Sequence, residues 1–381
     1  MKAMRLLHTA DWHLGRSFHG ASLLEHQAAF LTWLADLARE ERVDAVMVAG
    51  DLYDRALPPA EAVALAGEGL QQLAGDGRQV VVISGNHDSA PRLSFAARLL
   101  ERAGLHFRTD PRECGRPIVL GQTAIYGIPY LEPDLIMAAL ECQERSHDAV
   151  LRAAMACVRA DLAARPAGTA CVVVGHAFVA GASTAASERE LAVGGAGQVG
   201  SRLFDGADYV ALGHLHRPQA IAGGRYAGSP LALSFSEAAD VKSATIIDLP
   251  GRGRARTSTV ACPVPRPLTR LHGTLEELLA DPVLRPHEGA WVEATLTDPD
   301  RPLDGMARLQ RRFPHAVCLL FEPCGERVAG EDSYAERLAG LSEEEVLARF
   351  VLDVRGSEAG EDELALLREA LDAGRARQLQ R

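Results

Sequence analysis

The amino-acid sequence predicts an α/β layered fold with a second sheet packed on the first. Two observations carry this. Over the first 250 residues, short apolar runs alternate with amphipathic, helix-period stretches, the pattern of strands covered by helices. Further short apolar runs then crowd the middle and end of that region, where helical periodicity becomes rare.

In chain order, the long apolar runs are 4–10, 43–49, 79–84, 170–174 and 208–212, and the amphipathic stretches are 22–40, 59–75, 91–103 and 133–164. Shorter candidate strands lie at 117–120, 123–128, 225–227 and 243–248. The composition shifts at 250–268, where Pro-Gly-Arg-Gly-Arg-Ala-Arg and Pro-Val-Pro-Arg-Pro read as a domain boundary. A core over 1–265, a small α/β unit over 266–330 and a helical segment over 331–381 are therefore expected. That agrees with the two or three domains that 381 residues suggest. The small unit has candidate strands at 269–273, 291–296 and 316–321, with helices at 275–280 and 305–313. In the last segment Val346, Leu347, Phe350 and Val351 mark one amphipathic helix, and Leu364, Leu367 and Leu371 a second, separated by 355–360.

Composition narrows the classes. Apolar residues at 47% and charged residues at 24% are ordinary for a globular protein and exclude disordered, collagen-like and coiled-coil chains. With 51 Asp+Glu against 40 Lys+Arg, the net charge is −11, which argues against gripping nucleic acid by charge alone. Only Lys2 and Lys242 are lysines; nearly all positive charge is arginine, as GC-rich coding bias would give. Seven cysteines without C-x-x-C spacing fit neither a disulfide framework nor a zinc ribbon, but do fit a reducing compartment. The N-terminus lacks a signal-peptide pattern and no apolar run reaches about 18 residues, so a soluble cytoplasmic protein is expected.

The chemistry lies in the residues that close the five long runs. The first run ends in Asp11-Trp12-His13 and the second in Gly50-Asp51-Leu52-Tyr53-Asp54. The third ends in Gly85-Asn86-His87-Asp88, the fourth in Gly175-His176 and the fifth in Gly213-His214-Leu215-His216. Loops at the carboxyl ends of strands in an open α/β sheet converge on one crevice. Carboxylate, imidazole and amide donors without thiolate suit manganese, iron or zinc. Eight of these, Asp11, His13, Asp51, Asn86, His87, His176, His214 and His216, exceed the needs of one ion and suit two, with Asp51, at the centre of the set, as the natural bridge. Such a pair activates a hydroxide and neutralises phosphoryl charge, which indicates phosphoester hydrolysis.

The order D-x-H, G-D-x-x-D, G-N-H-D, G-H, G-H-x-H resembles the metallophosphoesterase superfamily, the calcineurin-like fold. The resemblance implies a four-layer α/β/β/α sandwich. It also implies a first metal on Asp11, His13, Asp51 and His216 and a second on Asp51, Asn86, His176 and His214. His87 would then face the scissile phosphate as a catalytic acid or transition-state donor, and Asp88 would orient it. Four blocks, 5–16, 187–195, 207–219 and 226–237, resemble the superfamily's nuclease subunits that work with an SMC-type ATPase. Resemblance is strongest in the core, moderate in the small unit and weakest in the last helices.

That closer resemblance implies a manganese-dependent 3′–5′ exonuclease on double-stranded DNA ends that also opens hairpins as a single-strand endonuclease. Its setting would be DNA replication, recombination and repair. The implied partner is the ATPase with its long coiled coil, in an assembly of two nuclease and two ATPase subunits. The 266–330 unit would cap the DNA and the 331–381 helices would bind the ATPase. No G-x-x-x-x-G-K-[ST] occurs in this chain, so ATP use would reside in the partner. Archaeal and eukaryotic relatives carry His where this chain has Asp54, and Asp54 is left out of the metal set.

Blander readings stand beside these. Asp11, Asp51 and Asn86 taken singly fit helix caps equally well; five clusters in order do not. Arg16, Arg55, Arg92 and Arg217 are candidates for DNA phosphate contact or for surface ion pairs. Trp12 and Tyr53 fit packing better than base stacking. A phosphoesterase for cyclic nucleotides, phosphoproteins or small phosphodiesters, and a non-catalytic adaptor with a vestigial site, are the rival functions.

Overall fold

Strands that are buried on both faces must be apolar throughout rather than alternating, and the runs Ala45–Ala49, Ala170–His176 and Tyr209–Gly213 are buried at every position. The structure, a computed structural model, describes residues 3–191, 197–253, 255–323, 341–355 and 357–378. These runs form the centres of two six-stranded sheets.

The first sheet has the order Arg256–Ala261, Ser243–Leu249, Met4–Thr9, Ala45–Ala49, Gln79–Ile83, Leu105–Arg108. Its last four strands are parallel, and Ser243–Leu249 joins antiparallel with Leu6 opposite Ile247. The second sheet has the order Gln219–Ile221, Gly224–Tyr226, Tyr209–Gly213, Ala170–His176, Thr123–Ile128, Ile118–Leu120. Its four central strands are parallel.

Alternate residues on each strand point to opposite faces, and the sheets use both. Leu7, Val46, Val48, Val80 and Val82 pack under the helices Leu24–Glu40 and Ala60–Leu73 with Phe30, Leu34 and Leu70. Their neighbours Leu6, Met47 and Val81 meet Ile125, Val172, Val174 and Ala211 from the other sheet. The outer face of the second sheet, with Tyr126, Val173 and Leu212, packs on Val150, Ala154 and Val158 of the helix His147–Ala163. The layers are α/β/β/α.

Three sequence readings need correction. The stretch 91–103 is not one helix: Ala96 at φ 58° separates Ala90–Leu93 from Ala97–Leu100, because a left-handed residue cannot continue a right-handed helix. The stretch 133–164 breaks likewise, with Glu141 at φ 55° and a new helix capped by Ser146, whose side chain accepts from the N–H of Ala149. The boundary at 250–268 hides the edge strand Arg256–Ala261. Its residues are almost all exposed, so it carries no apolar alternation for the sequence to display.

Beyond it, Leu268–Gly273, Trp291–Leu296 and Ala316–Phe321 form a parallel three-stranded sheet. The helices Leu275–Ala280 and Gly305–Gln310 supply its own core, built on Leu271, Leu278, Val292, Leu309 and Phe313. A capping box of Thr274 and Glu277 starts the first of these helices. Trp291 packs with Phe18, Leu23, Leu233 and Phe235 in a separate cluster.

The chain divides into two compact units, Met1–Glu322 and Pro323–Arg381. Within the second, Glu343–Arg355 and Glu361–Gln378 are helices joined by an Arg368–Glu344 ion pair. The expected boundary at 330 and Cys324 lie outside the described residues. The described cysteines are free, and among the described residues no helix is long and apolar enough to cross a membrane.

His8 gives the fold a pH dependence. It is fully buried between Tyr209 and the Leu212 carbonyl, at 3.1 and 3.2 Å, and burial pushes its imidazole down to about 3. The unfolded chain titrates near the ordinary value of about 6.5, so it binds one more proton than the folded chain as pH falls from there towards about 3. Stability from this residue is therefore present above the ordinary histidine range and lost on acidification. Urea unfolding across this window is expected to show a slope about 1.4 kcal/mol per pH unit smaller in His8→Gln than in the parent chain.

Candidate metal centre

Five loops at the carboxyl ends of parallel strands meet between the two sheets. The first two run side by side: the N–H of Asp11 donates to the Gly50 carbonyl at 3.0 Å and that of His13 to the Asp51 carbonyl at 3.0 Å. Four residues of these loops hold left-handed backbone, Asp11 at φ 52°, His13 at 46°, Asp51 at 48° and His214 at 102°. Non-glycine residues adopt this region at a cost, and such strain concentrates at functional sites. Glycines serve the close approaches instead. A Cβ on Gly85 would lie 2.1 Å from Asp51 Oδ1, and one on Gly50 2.3 Å from His176 Nδ1.

Asp51 is the hub. Its Oδ2 lies 3.6 Å from His13 Nε2 and 3.5 Å from His176 Nε2, while Oδ1 accepts the His87 N–H at 2.9 Å. Among the described residues two groups bring donor atoms within metal-binding reach, His13–Asp51–His87 and Asp11–Asp51–His176. Both contain Asp51, the expected bridge. On one side His13 Nε2 faces His216 Nε2 at 3.1 Å. On the other, Asn86 Oδ1 is 3.0 Å from both His176 Nε2 and His214 Nδ1. The structure thus gathers all seven expected ligands, Asp11, His13, Asp51, Asn86, His176, His214 and His216. Asp11 sits between the sets, 3.9 Å from His176 Nδ1 and accepting the His214 N–H.

The electrostatics suit a cation. Burial holds the Asp11 carboxyl well above its ordinary range. Burial would also raise Asp51, but the imidazoles of His176, His13 and His87 outweigh it and hold that carboxylate below its ordinary range. His176 is drawn up to about 9 against burial by Asp51 and Asp11. Burial, first, keeps His13, His214 and His216 neutral, with His214 down to about 3. Neutral imidazoles offer lone pairs to metals. His176 Nδ1 is tied to the Ala49 carbonyl at 2.9 Å, the outer-sphere contact that orients a ligand ring. Asp11 Oδ2 and His13 Nδ1 are buried and have no hydrogen-bond partner. An orphaned polar atom at this depth is costly, and a divalent cation at Asp11 would satisfy its free oxygen. The donors fit the expected pair of ions.

Asp88 does not orient His87 as expected. Its carboxylate accepts three main-chain N–H groups, from Leu52 at 3.1 Å, Tyr53 at 3.0 Å and Gly85 at 3.0 Å. It ties the second loop to the third, and burial followed by the Asp51 charge raises it to about 6. His87 Nδ1 is held instead by the Asp54 carbonyl at 2.9 Å. The Asp54 carboxylate faces His13 Nδ1 at 3.5 Å and Arg16 at 3.3 Å.

The remaining arginines divide. Arg217 pairs with Asp240 at 2.9 Å, Arg92 donates to the Ala56 carbonyl at 2.9 Å, and Arg55 is exposed. Trp12 packs on Phe30 and bonds Thr9. Three contributors escape the strand-then-Asp/His pattern. Tyr130 stacks on His214 with centroids 6.0 Å apart; its only sequence signal is its place after the run 123–128. Gln27 donates to the His13 carbonyl at 2.7 Å from a helix face. Ser187 reaches His216 Nδ1 at 2.8 Å; its block, 187–195, lies partly outside the described residues.

A family model described as Calcineurin-like phosphoesterase matches residues 4–218. A second, described as Type 5 capsule protein repressor C-terminal domain, matches residues 264–355. Among curated proteins, the D subunit of the SbcCD nuclease of Bacillus subtilis is 36% identical over 82% of this chain and 84% of its own length. The proteins of the same name from Staphylococcus epidermidis and Staphylococcus saprophyticus are 28% and 29% identical, each over 83% of this chain and 85% and 84% of their own length.

Two substitutions test the hub. Asp51→Ala is expected to weaken both cation sites together in calorimetric titration with manganese; loss of one ion alone would refute the bridge. Gly85→Ala, which drives a methyl into both the carboxylate and the main-chain N of Asp51, should lower manganese affinity about tenfold or more, with a lowered melting temperature read alongside.

Proposed function

The chain belongs to the calcineurin-like phosphoesterase family, alongside the D subunits of SbcCD nucleases, and from that membership we propose that it is the metal-dependent nuclease subunit of an SbcCD-type complex. The observation that carries the reading is the pair of donor sets sharing Asp51, with His87 beside them. Two divalent cations bound there, manganese by the family resemblance, would supply a water-derived nucleophile and neutralise charge on the phosphoryl oxygens.

The chain's own groups do the rest. Asp51 holds both halves of the site at one spacing, and its Oδ1 anchors the main chain of His87 at 2.9 Å. Nδ1–H of His87 donates to the Asp54 carbonyl at 2.9 Å, so the opposite ring nitrogen gives a hydrogen bond or proton to the phosphate and leaving oxygen when the ring is doubly protonated. Asp88 keeps the loop carrying His87 locked to the loop carrying Asp51. Arg16, at the rim beside Asp54, is the arginine best placed to meet a DNA phosphate.

The substrates are double-stranded DNA ends, degraded 3′–5′, and hairpins opened by a single-strand cut, in replication, recombination and repair in the cytoplasm. Residues 266–330 cap the DNA. The helical segment 331–381 binds an SbcC-type SMC-like ATPase within a tetramer of two nuclease and two ATPase subunits. Exposed Phe350, Val354 and Leu366 provide the apolar contacts for that docking.

The test is manganese-dependent degradation of end-labelled duplex DNA with and without the ATPase. Degradation enhanced by the ATPase and ATP is expected; activity confined to small phosphoesters would reject the nuclease reading. His87→Ala should bind two ions yet lose hydrolysis by about 100-fold or more. Since His87 also lies within ligand reach of Asp51 and His13, loss of an ion in that variant would make it a ligand instead.

A further inference from the structure

Behind His216, on the side away from the ligand cluster, lies a buried polar chain that the hydrolytic reading leaves unused. Lys242, 3% exposed, is one of only two lysines in a chain whose other cations are arginine. Its ammonium meets three acceptors: Glu237 Oε2 at 2.5 Å, the His216 carbonyl at 2.7 Å and Ser229 Oγ at 3.1 Å. Three donors and three acceptors match, and a planar guanidinium presents a different fork. Glu237, fully buried, accepts from Ser187 Oγ at 2.8 Å and Ser234 Oγ at 3.0 Å on Oε1, and from the Leu233 N–H at 3.3 Å on Oε2. Ser187 Oγ lies 2.8 Å from His216 Nδ1.

The polarity of this chain follows from proton counting. A carboxylate opposite an ammonium only accepts, so the single Ser187 proton goes to Glu237. Ser187 can then only accept from His216, whose Nδ1 must carry the hydrogen. His216 Nε2, which faces His13 Nε2 at 3.1 Å, is left as a bare lone pair. We propose that Lys242, Glu237 and Ser187 are a positioning relay that fixes His216 in its Nδ1–H tautomer and so prepares Nε2 to bind a divalent cation. The relay deepens the two-cation reading above and rests on it. It acts on the His13–His216 side alone, because the second set is oriented separately through the Ala49 carbonyl.

The experiment titrates manganese(II) chloride into the metal-free full-length chain by calorimetry, with thermal melting as a check on folding. The parent chain should bind two ions. Ser187→Ala should weaken one of them about 10- to 100-fold and spare the other, and Ser187→Thr, which keeps the hydroxyl, should restore it. An unchanged isotherm for Ser187→Ala, equal loss at both sites, or no rescue by threonine overturns the relay alone. Fewer than two ions in the parent chain overturns the two-cation reading and the relay with it. A second measurement needs neither metal nor a mutated relay. Nitrogen-15 histidine spectra of the metal-free parent chain, with His216 assigned by loss of its signal in His216→Gln, should show Nδ1 protonated. An Nε2-protonated ring overturns the proposal.

Discussion

Two fully buried carboxylates, Asp11 and Asp51, stand at the seam where the sheets meet, and the surrounding structure is organised around keeping them there. An isolated charge in such a place is prohibitive. The protein answers with imidazoles from the opposite sheet, main-chain N–H groups and strained turns that aim each side chain inward. The two sheets are thus joined by an apolar filling and also by electrostatic demand: His176 and His214 come from the second sheet to carboxylates of the first.

The sequence displayed this seam well, for a physical reason. Doubly covered parallel strands are continuous apolar runs, and ligands must come directly after them, so strand and chemistry are adjacent in the chain. Where that adjacency fails, the sequence is mute. The edge strand Arg256–Ala261 has nothing to bury on its outer side. Gln27 contacts the site from a helix, and Glu237 and Lys242, 21 and 26 residues past His216, bond to Ser187 and to the His216 carbonyl respectively. Asp88 was visible as part of the cluster but its partner was not. A carboxylate beside a histidine in sequence does not tell which of ring or backbone it will hold.

The net charge of −11 also looks different in the structure. Part of it is sequestered: Asp11, Asp51 and Glu188 are buried. Another part lies in the helix Glu343–Arg355, whose first turn carries Glu343, Glu344 and Glu345, and in Glu361–Gln378, which opens with Glu361, Asp362 and Glu363. The acidity is therefore unevenly distributed, and the rim of the site keeps arginines such as Arg16 and Arg55 within it.

The proposed ligands are spread from Asp11 to His216, and the strand Ser243–Leu249 joins the first sheet beside Met4–Thr9. A chain emerging from the ribosome N-terminus first therefore presents Asp11, His13 and Asp51 long before the histidines that balance them. The first sheet cannot gain its antiparallel strand until residue 249 is free. A half-made chain therefore has the buried acids without the histidines that face them, and the proposed site can assemble only when nearly the whole core has been made.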